Sequence, residues 1–149
     1  MVPPRYPLPE RLICAARAAI ELGRARATLY RTTPAGVLDR NAAAQEGEAS
    51  RQAAYLAGER ARLTKRAAFF TRRIATRVPW RADCLVQAMA CQRWLVACGI
   101  ASEIVVGTAK TPSGDFESHA WLVCDGKTIL GGDVTRFSPL VETGKNGGR

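Results

Sequence analysis

The stretch Ser118-His119-Ala120-Trp121-Leu122-Val123-Cys124, closed by Asp125-Gly126 and answered by Lys127-Thr128-Ile129-Leu130, decides how this chain is read. Two apolar runs joined by Asp-Gly are a strong short-range signal for a β-hairpin, because both turn positions must tolerate positive φ. The expected strands are Phe116 to Cys124 and, returning, Lys127 to Asp133. His119 is the only histidine among 149 residues. Imidazole is the side chain whose ordinary charge change falls near neutral pH, so a general base in this chain would be His119. The plainer alternative is a histidine satisfied by a backbone partner.

Working back from the hairpin, Thr108 to Asp115 reads as a mobile loop, and Ile100 to Gly107 as a strand. Before it lies an apolar helix that begins near Cys84, with Asp83 as its N-cap and Gly99 as a left-handed stop. A thiol in the first turn of a helix faces open backbone N–H groups and the positive end of the dipole, which favours thiolate. Arg81 adds positive charge nearby, and the same N–H groups can receive an oxyanion. Cys91 and Cys98 follow seven and fourteen residues later on the same helix face. Seven residues rise about 10.5 Å, too far for one metal ion or for a disulfide. Those two cysteines, with Cys14 and Cys124, read as packing residues. No metal or cofactor site is expected, and no Gly-rich phosphate loop ends in Gly-Lys-Ser/Thr.

A thiol–imidazole pair works best with a third group that orients the ring. Asp115, Asp125 and Asp133 are the carboxylates at hand. Asp125 stands at the turn, six residues from His119 or about 20 Å along a strand, and reads as a turn residue. Asp133 returns alongside His119, but a strict two-residue loop pairs 119 with 132 and turns Asp133 to the other face. A bulge restores the parity, and Gly131-Gly132 is the sort of sequence in which bulges occur. A register irregularity is therefore expected, with Asp115 as the weaker alternative.

The N-terminal half reads as helical scaffold. Met1 to Pro9 carries four prolines and suggests an extended arm; a helix follows from about Pro9 to Tyr30, with Leu12, Ala16, Ala19 and Ile20 at helical spacing and Pro34 and Gly36 beyond its end. Asn41 to Ser50 is polar and loop-like. A longer helix is expected from Ser50 to Arg77, with Ala53, Leu56, Leu63, Ala67, Phe70 and Ile74 on its apolar stripe and Arg62, Lys65, Arg66, Arg72 and Arg73 opposite. Apolar residues make up 47% and charged residues 23%, the balance of a folded domain rather than a disordered one. A net charge of +9 permits acidic peptide, nucleic acid or anionic membrane as partner, yet no nucleic-acid-reading motif is present and no basic-aromatic interleaving. The run from Leu12 to Ile20 is too short and too charged to export or span, which leaves the cytoplasm as the default, where five cysteines need not pair.

Taken together, Pro79-Trp80-Arg81-Ala82-Asp83-Cys84-Leu85, Trp94-Leu95, Cys98-Gly99-Ile100, Val105-Val106-Gly107 and Phe116-Glu117-Ser118-His119-Ala120-Trp121 resemble the transglutaminase-like leader peptidases of lasso-peptide biosynthesis, in their standalone form. The resemblance covers about residues 75 to 140. It implies an α+β fold in which a papain-like helix carrying the nucleophile packs on an antiparallel sheet carrying His and Asp. It assigns Cys84 as nucleophile, His119 as base and acid, and Asp133 as the orienting carboxylate. The implied reaction cuts a ribosomal precursor peptide between leader and core. A separate small leader-recognition protein and a lasso cyclase are the implied partners, with neither nucleic acid nor membrane involved. One domain is expected, with scaffold over 1–77, catalytic core over 78–140 and a disordered tail over 141–149. The rival readings are a non-catalytic basic module for acidic peptide or nucleic acid, and an acyl transferase with an amine acceptor.

Overall fold

The computed structural model of the chain describes residues 6–33, 36 and 57–140. Most of the proline-rich arm, the polar segment 41–50, the first turns of the second expected helix and the tail 141–149 lie outside the described residues. Within them, three helices and a four-stranded antiparallel sheet form an α+β fold.

Helix α1 runs from Leu8 to Arg31, with proline and Glu10 in its first turn and Arg31 in its last, each suited to its end of the dipole. Its buried stripe is Cys14, Ala18, Leu22 and Ala25. This corrects the expected stripe: Leu12 and Ile20 are 71% and 54% exposed. Cys14, Ala18 and Ala25 are small and let α1 approach its neighbours closely around buried Leu22, and that packing leaves Leu12 and Ile20 outside. Helix α2, Ala57–Ala75, buries Ala67 and Phe70 as expected and half-buries Leu63 and Ile74. Arg66 is not on a solvated face. It pairs with Glu10 of α1 and its guanidinium lies 5.1 Å from the Tyr6 ring centroid.

Helix α3, Cys84–Ala97, begins at Asp83, whose Oδ1 accepts the Val86 N–H at 3.2 Å. It ends in a Schellman arrangement: Gly99, at φ 70°, donates to Val96 O, and Ile100 donates to Leu95 O, each at 2.9 Å. Because Ile100 completes that cap, the strand begins later than its apolar residues suggest. Strand β1 is Glu103–Lys110. An ion pair between buried Glu21 and Arg93, at 3.0 Å, ties α1 to α3.

Strand β2 is Phe116–Cys124, β3 is Lys127–Leu130, and a short β4, Ser138–Pro139, was not anticipated. The sheet order is β3-β2-β1-β4. The turn 111–115 between β1 and β2, expected to be mobile, is closed by Thr111 N–H to Asp115 O at 2.8 Å and Ser113 Oγ to Asp115 Oδ2 at 2.9 Å. The pleat sorts β1 and β2 into two faces. Ile104, Leu122 and Cys124 join Ile100, Val86 and Leu95 in the main core under the helices. Val105, Ala109, Trp121 and Val123 turn the other way and meet Phe137 and Val134 in a second, smaller cluster.

Candidate active site

Cys84 occupies the first position of α3, half-buried. Asp83 takes the Val86 N–H with its side chain and the Gln87 N–H, at 2.9 Å, with its carbonyl. That leaves the N–H groups of Cys84 and Leu85 as the open donors of the first turn. The other thiols sit differently. Burial pushes Cys14, Cys91 and Cys124 above the ordinary thiol value, Cys91 to about 12. Cys98 lies at the C-terminal, negative end of the helix. Placement at the positive helix end is thus particular to Cys84 among the five. Just upstream, the Trp80 ring packs over Gly23 of α1, where an added Cβ would stand 3.6 Å from it; this anchors the approach to the helix.

His119 lies on β2 opposite Gly107 of β1. Its ring is stacked with Trp121 at 6.3 Å between centroids and inclined to Phe137 at 5.0 Å. Gly107 makes this possible, since a Cβ there would stand 2.6 Å from Trp121 Cη2. His119 Nε2 is 2.7 Å from the carbonyl oxygen of Gly131.

The hairpin carries the expected irregularity, but at a different place. Cys124 pairs with Lys127 and Val123 with Thr128, whereas Leu122 pairs with Leu130. Ile129 is therefore the extra residue, two positions before Gly131. Continued by arithmetic, the shifted register sets 119 against 133. The strand stops before that point: Gly131 and Gly132 take φ of 123° and 74° and bend the chain out of the sheet. Asp133 is exposed in the resulting loop. Its Oδ1 accepts from Thr135 N at 3.0 Å and from Thr135 Oγ1 at 2.7 Å, and these bonds hold its carboxyl below the usual carboxylate range. The other two carboxylates are engaged elsewhere, Asp115 with Ser113 and Asp125 with Arg60.

The structure thus brings His119 together with the loop that bears Asp133. Among the described residues no hydrogen bond joins Cys84 to His119, or His119 to Asp133. Sequence reasoning missed the Gly131 carbonyl and the Phe137 ring; the Gly-Gly pair signalled the backbone geometry but not the acceptor it exposes.

A separate cleft of about 650 Å³ lies between α1 and α2, walled by Tyr6, Leu8, Leu12, Phe69 and Phe70 and rimmed by Arg11, Arg73 and Arg77. None of these three arginines has an ion pair among the described residues. No group of three or more His, Cys, Asp or Glu placed to hold a metal occurs among the described residues, and no described helix is long and apolar enough to cross a membrane.

Comparison with curated proteins and with solved structures returned no match. A family model, described as the transglutaminase-like superfamily, matches residues 16–142, a span that begins within α1 and takes in Cys84, His119 and Asp133. The chain therefore belongs to the transglutaminase-like superfamily, which includes cysteine peptidases and acyltransferases.

Proposed function

We propose that this chain is a cysteine peptidase that removes the leader from a ribosomally made lasso-peptide precursor, acting in the cytoplasm with a separate leader-recognition protein and a cyclase. The family match over residues 16–142, with Cys84 at the first position of a capped helix, supports a cysteine-dependent acyl reaction, and the assignment to lasso-peptide leaders rests on the resemblance of residues 75 to 140. The free state of all five cysteines suits a reducing compartment.

In the proposed reaction the Cys84 thiol gives its proton to His119 and attacks the scissile carbonyl carbon. The oxygen takes up the displaced electron pair and meets the open N–H groups of Cys84 and Leu85. The imidazolium then protonates the leaving amine as the C–N bond breaks, and a thioester remains on Cys84. Water, deprotonated by His119, opens the thioester; sulfur leaves and recovers its proton. The reaction requires the Cys84 thiol and the His119 imidazole to come within hydrogen-bond reach in the substrate complex. Asp133 serves to maintain the orientation of His119. The arginine-rimmed cleft suits an acidic, apolar segment of the precursor or of the recognition protein, so Arg73→Glu should raise KM with kcat little changed.

The test is leader release from the precursor in the presence of its partners, followed by mass spectrometry. Cys84→Ala and His119→Ala should each abolish release while circular dichroism stays native. Persistent cleavage by folded Cys84→Ala would sink the proposal. A released leader ending in a free carboxylate identifies water as acceptor; an amide there would identify an amine and favour acyl transfer.

A further inference from the structure

We propose that the backbone carbonyl of Gly131 is the group that directly orients His119, fixing the ring as its Nε2–H tautomer with Nδ1 as the basic nitrogen. Asp133 then acts at one remove, as a positioning residue for the loop that carries this carbonyl. The catalytic meaning of the inference rests on the peptidase reading above; the tautomer itself does not.

The first step is a matter of donors and acceptors. A carbonyl oxygen only accepts, so the 2.7 Å contact requires the proton on Nε2 whenever the imidazole is neutral. The lone pair that can take a thiol proton is then on Nδ1. Trp121 and Phe137 stand against the ring at 6.3 and 5.0 Å between centroids, which limits a flip that would exchange the nitrogens.

The second step concerns how the carbonyl comes to be there. With Ile129 bulged, β3 ends at Leu130 and Gly131 enters at φ 123°, a backbone state that side-chain-bearing residues rarely adopt. A Cβ at that position would also collide with Cβ of Trp121. Beyond Gly132, Asp133 caps the loop by accepting the Thr135 N–H and Oγ1–H, and Phe137 N–H returns to Val134 O at 3.0 Å. Both hydrogen bonds of the Asp133 carboxylate thus go to the loop itself rather than to the imidazole. An asparagine at 133 could still accept both Thr135 bonds, but would be a poor substitute for a carboxylate facing an imidazolium.

Because His119 is the only histidine, a two-bond ¹H–¹⁵N correlation spectrum of the ¹⁵N-labelled full-length protein contains one imidazole, and its neutral tautomer can be read without assignment by mutation. The expected result, at a pH where the ring is neutral, is the Nε2–H pattern in wild type and also in Asp133→Asn. Asp133→Ala, which loses the cap, should show tautomer averaging. With precursor as substrate, Asp133→Asn should lower kcat by less than about tenfold. Loss of a carboxylate directly bonded to the ring would cost about 10⁴-fold through the wrong tautomer. An Nδ1–H pattern in wild type, or a switch to it in Asp133→Asn, would overturn the inference. If folded Cys84→Ala still cleaves, the peptidase reading fails while the tautomer result stands, so the two failures are separable.

Discussion

The two ends of the β2–β3 hairpin are built on opposite plans. At the turn, Asp125 and Gly126 both take positive φ, 50° and 72°, and the register beside them is regular. Asp125 is clamped there by Arg60 of α2, Nη2 to Oδ1 at 2.9 Å and Nε to Oδ2 at 3.0 Å. At the open end the register slips at Ile129, the return strand stops after four residues, and two glycines carry the chain out of the sheet. Each end uses an aspartate, but one aspartate ties the hairpin to a helix and the other ties a loop to itself. The closed end anchors; the open end gives up ladder hydrogen bonds and presents a backbone carbonyl to His119.

Removing the ring beneath His119 should have the largest effect on this contrast. Trp121 is 5% exposed and is the main occupant of the small cluster on the sheet face away from the main core. Trp121→Ala should destabilise the fold by about 3–5 kcal/mol in urea titration, by lost burial and the cavity left behind. It should also release the His119 ring and abolish the single-tautomer signal. A loss of stability with His119 still held as Nε2–H would mean that the Gly131 carbonyl orients the ring without help from the aromatic wall.

Gly131→Ala comes next. The substitution meets both a disfavoured φ and the Trp121 Cβ, so a cost of about 1–3 kcal/mol is expected from backbone strain alone. The informative comparison is with Gly126→Ala at the turn, where φ is 72° and nothing stands within 4 Å of the added Cβ. Gly126→Ala should destabilise without disturbing the His119 spectrum, because the strain is confined to the anchored end. Equal spectral effects from the two substitutions would show that the hairpin ends are coupled.

How much of this was legible beforehand follows the same division. The bounds of β2, the turn at Asp125-Gly126 and the cap of α3 at Asp83 were readable, because each depends on residues adjacent in sequence. The need for a register slip was also readable, from the parity of 119 against 133. Its position at Ile129 was not, since bulge placement depends on how β2 and β3 pack against their neighbours. The early end of β3, the strand β4 and the outward-facing Leu12 and Ile20 of α1 were likewise decided by tertiary packing. The partner of His119 escaped for a different reason. Every residue supplies a carbonyl, so a backbone acceptor leaves no mark in the residue types, whereas carboxylates attract attention by theirs.

The smallest expected effect tests the anchored end by pH. The Arg60 guanidinium beside Asp125 holds its carboxyl below the usual carboxylate range, with a smaller opposing push from burial. A carboxyl whose folded pKa is lowered contributes stability that is fully present above the unfolded value and is lost as pH falls through the folded one. Asp125 is 61% exposed, so solvent screening keeps the contribution near about 0.5 kcal/mol. Asp125→Asn should therefore lower unfolding stability by about that amount at pH 7 and at pH 5. The difference from wild type should vanish only below the ordinary carboxylate range, and added salt should shrink it at every pH. Asp133 is also shifted downward, but by Thr135 within its own loop rather than by a residue of another element. Because each carboxylate is held by its own partner, Asp125→Asn should leave the acid titration of the Thr135 amide, followed in an NMR series, as it is in wild type. If the Thr135 amide titration changes in Asp125→Asn, the two ends of the hairpin form one cooperative unit and the contrast drawn between them fails.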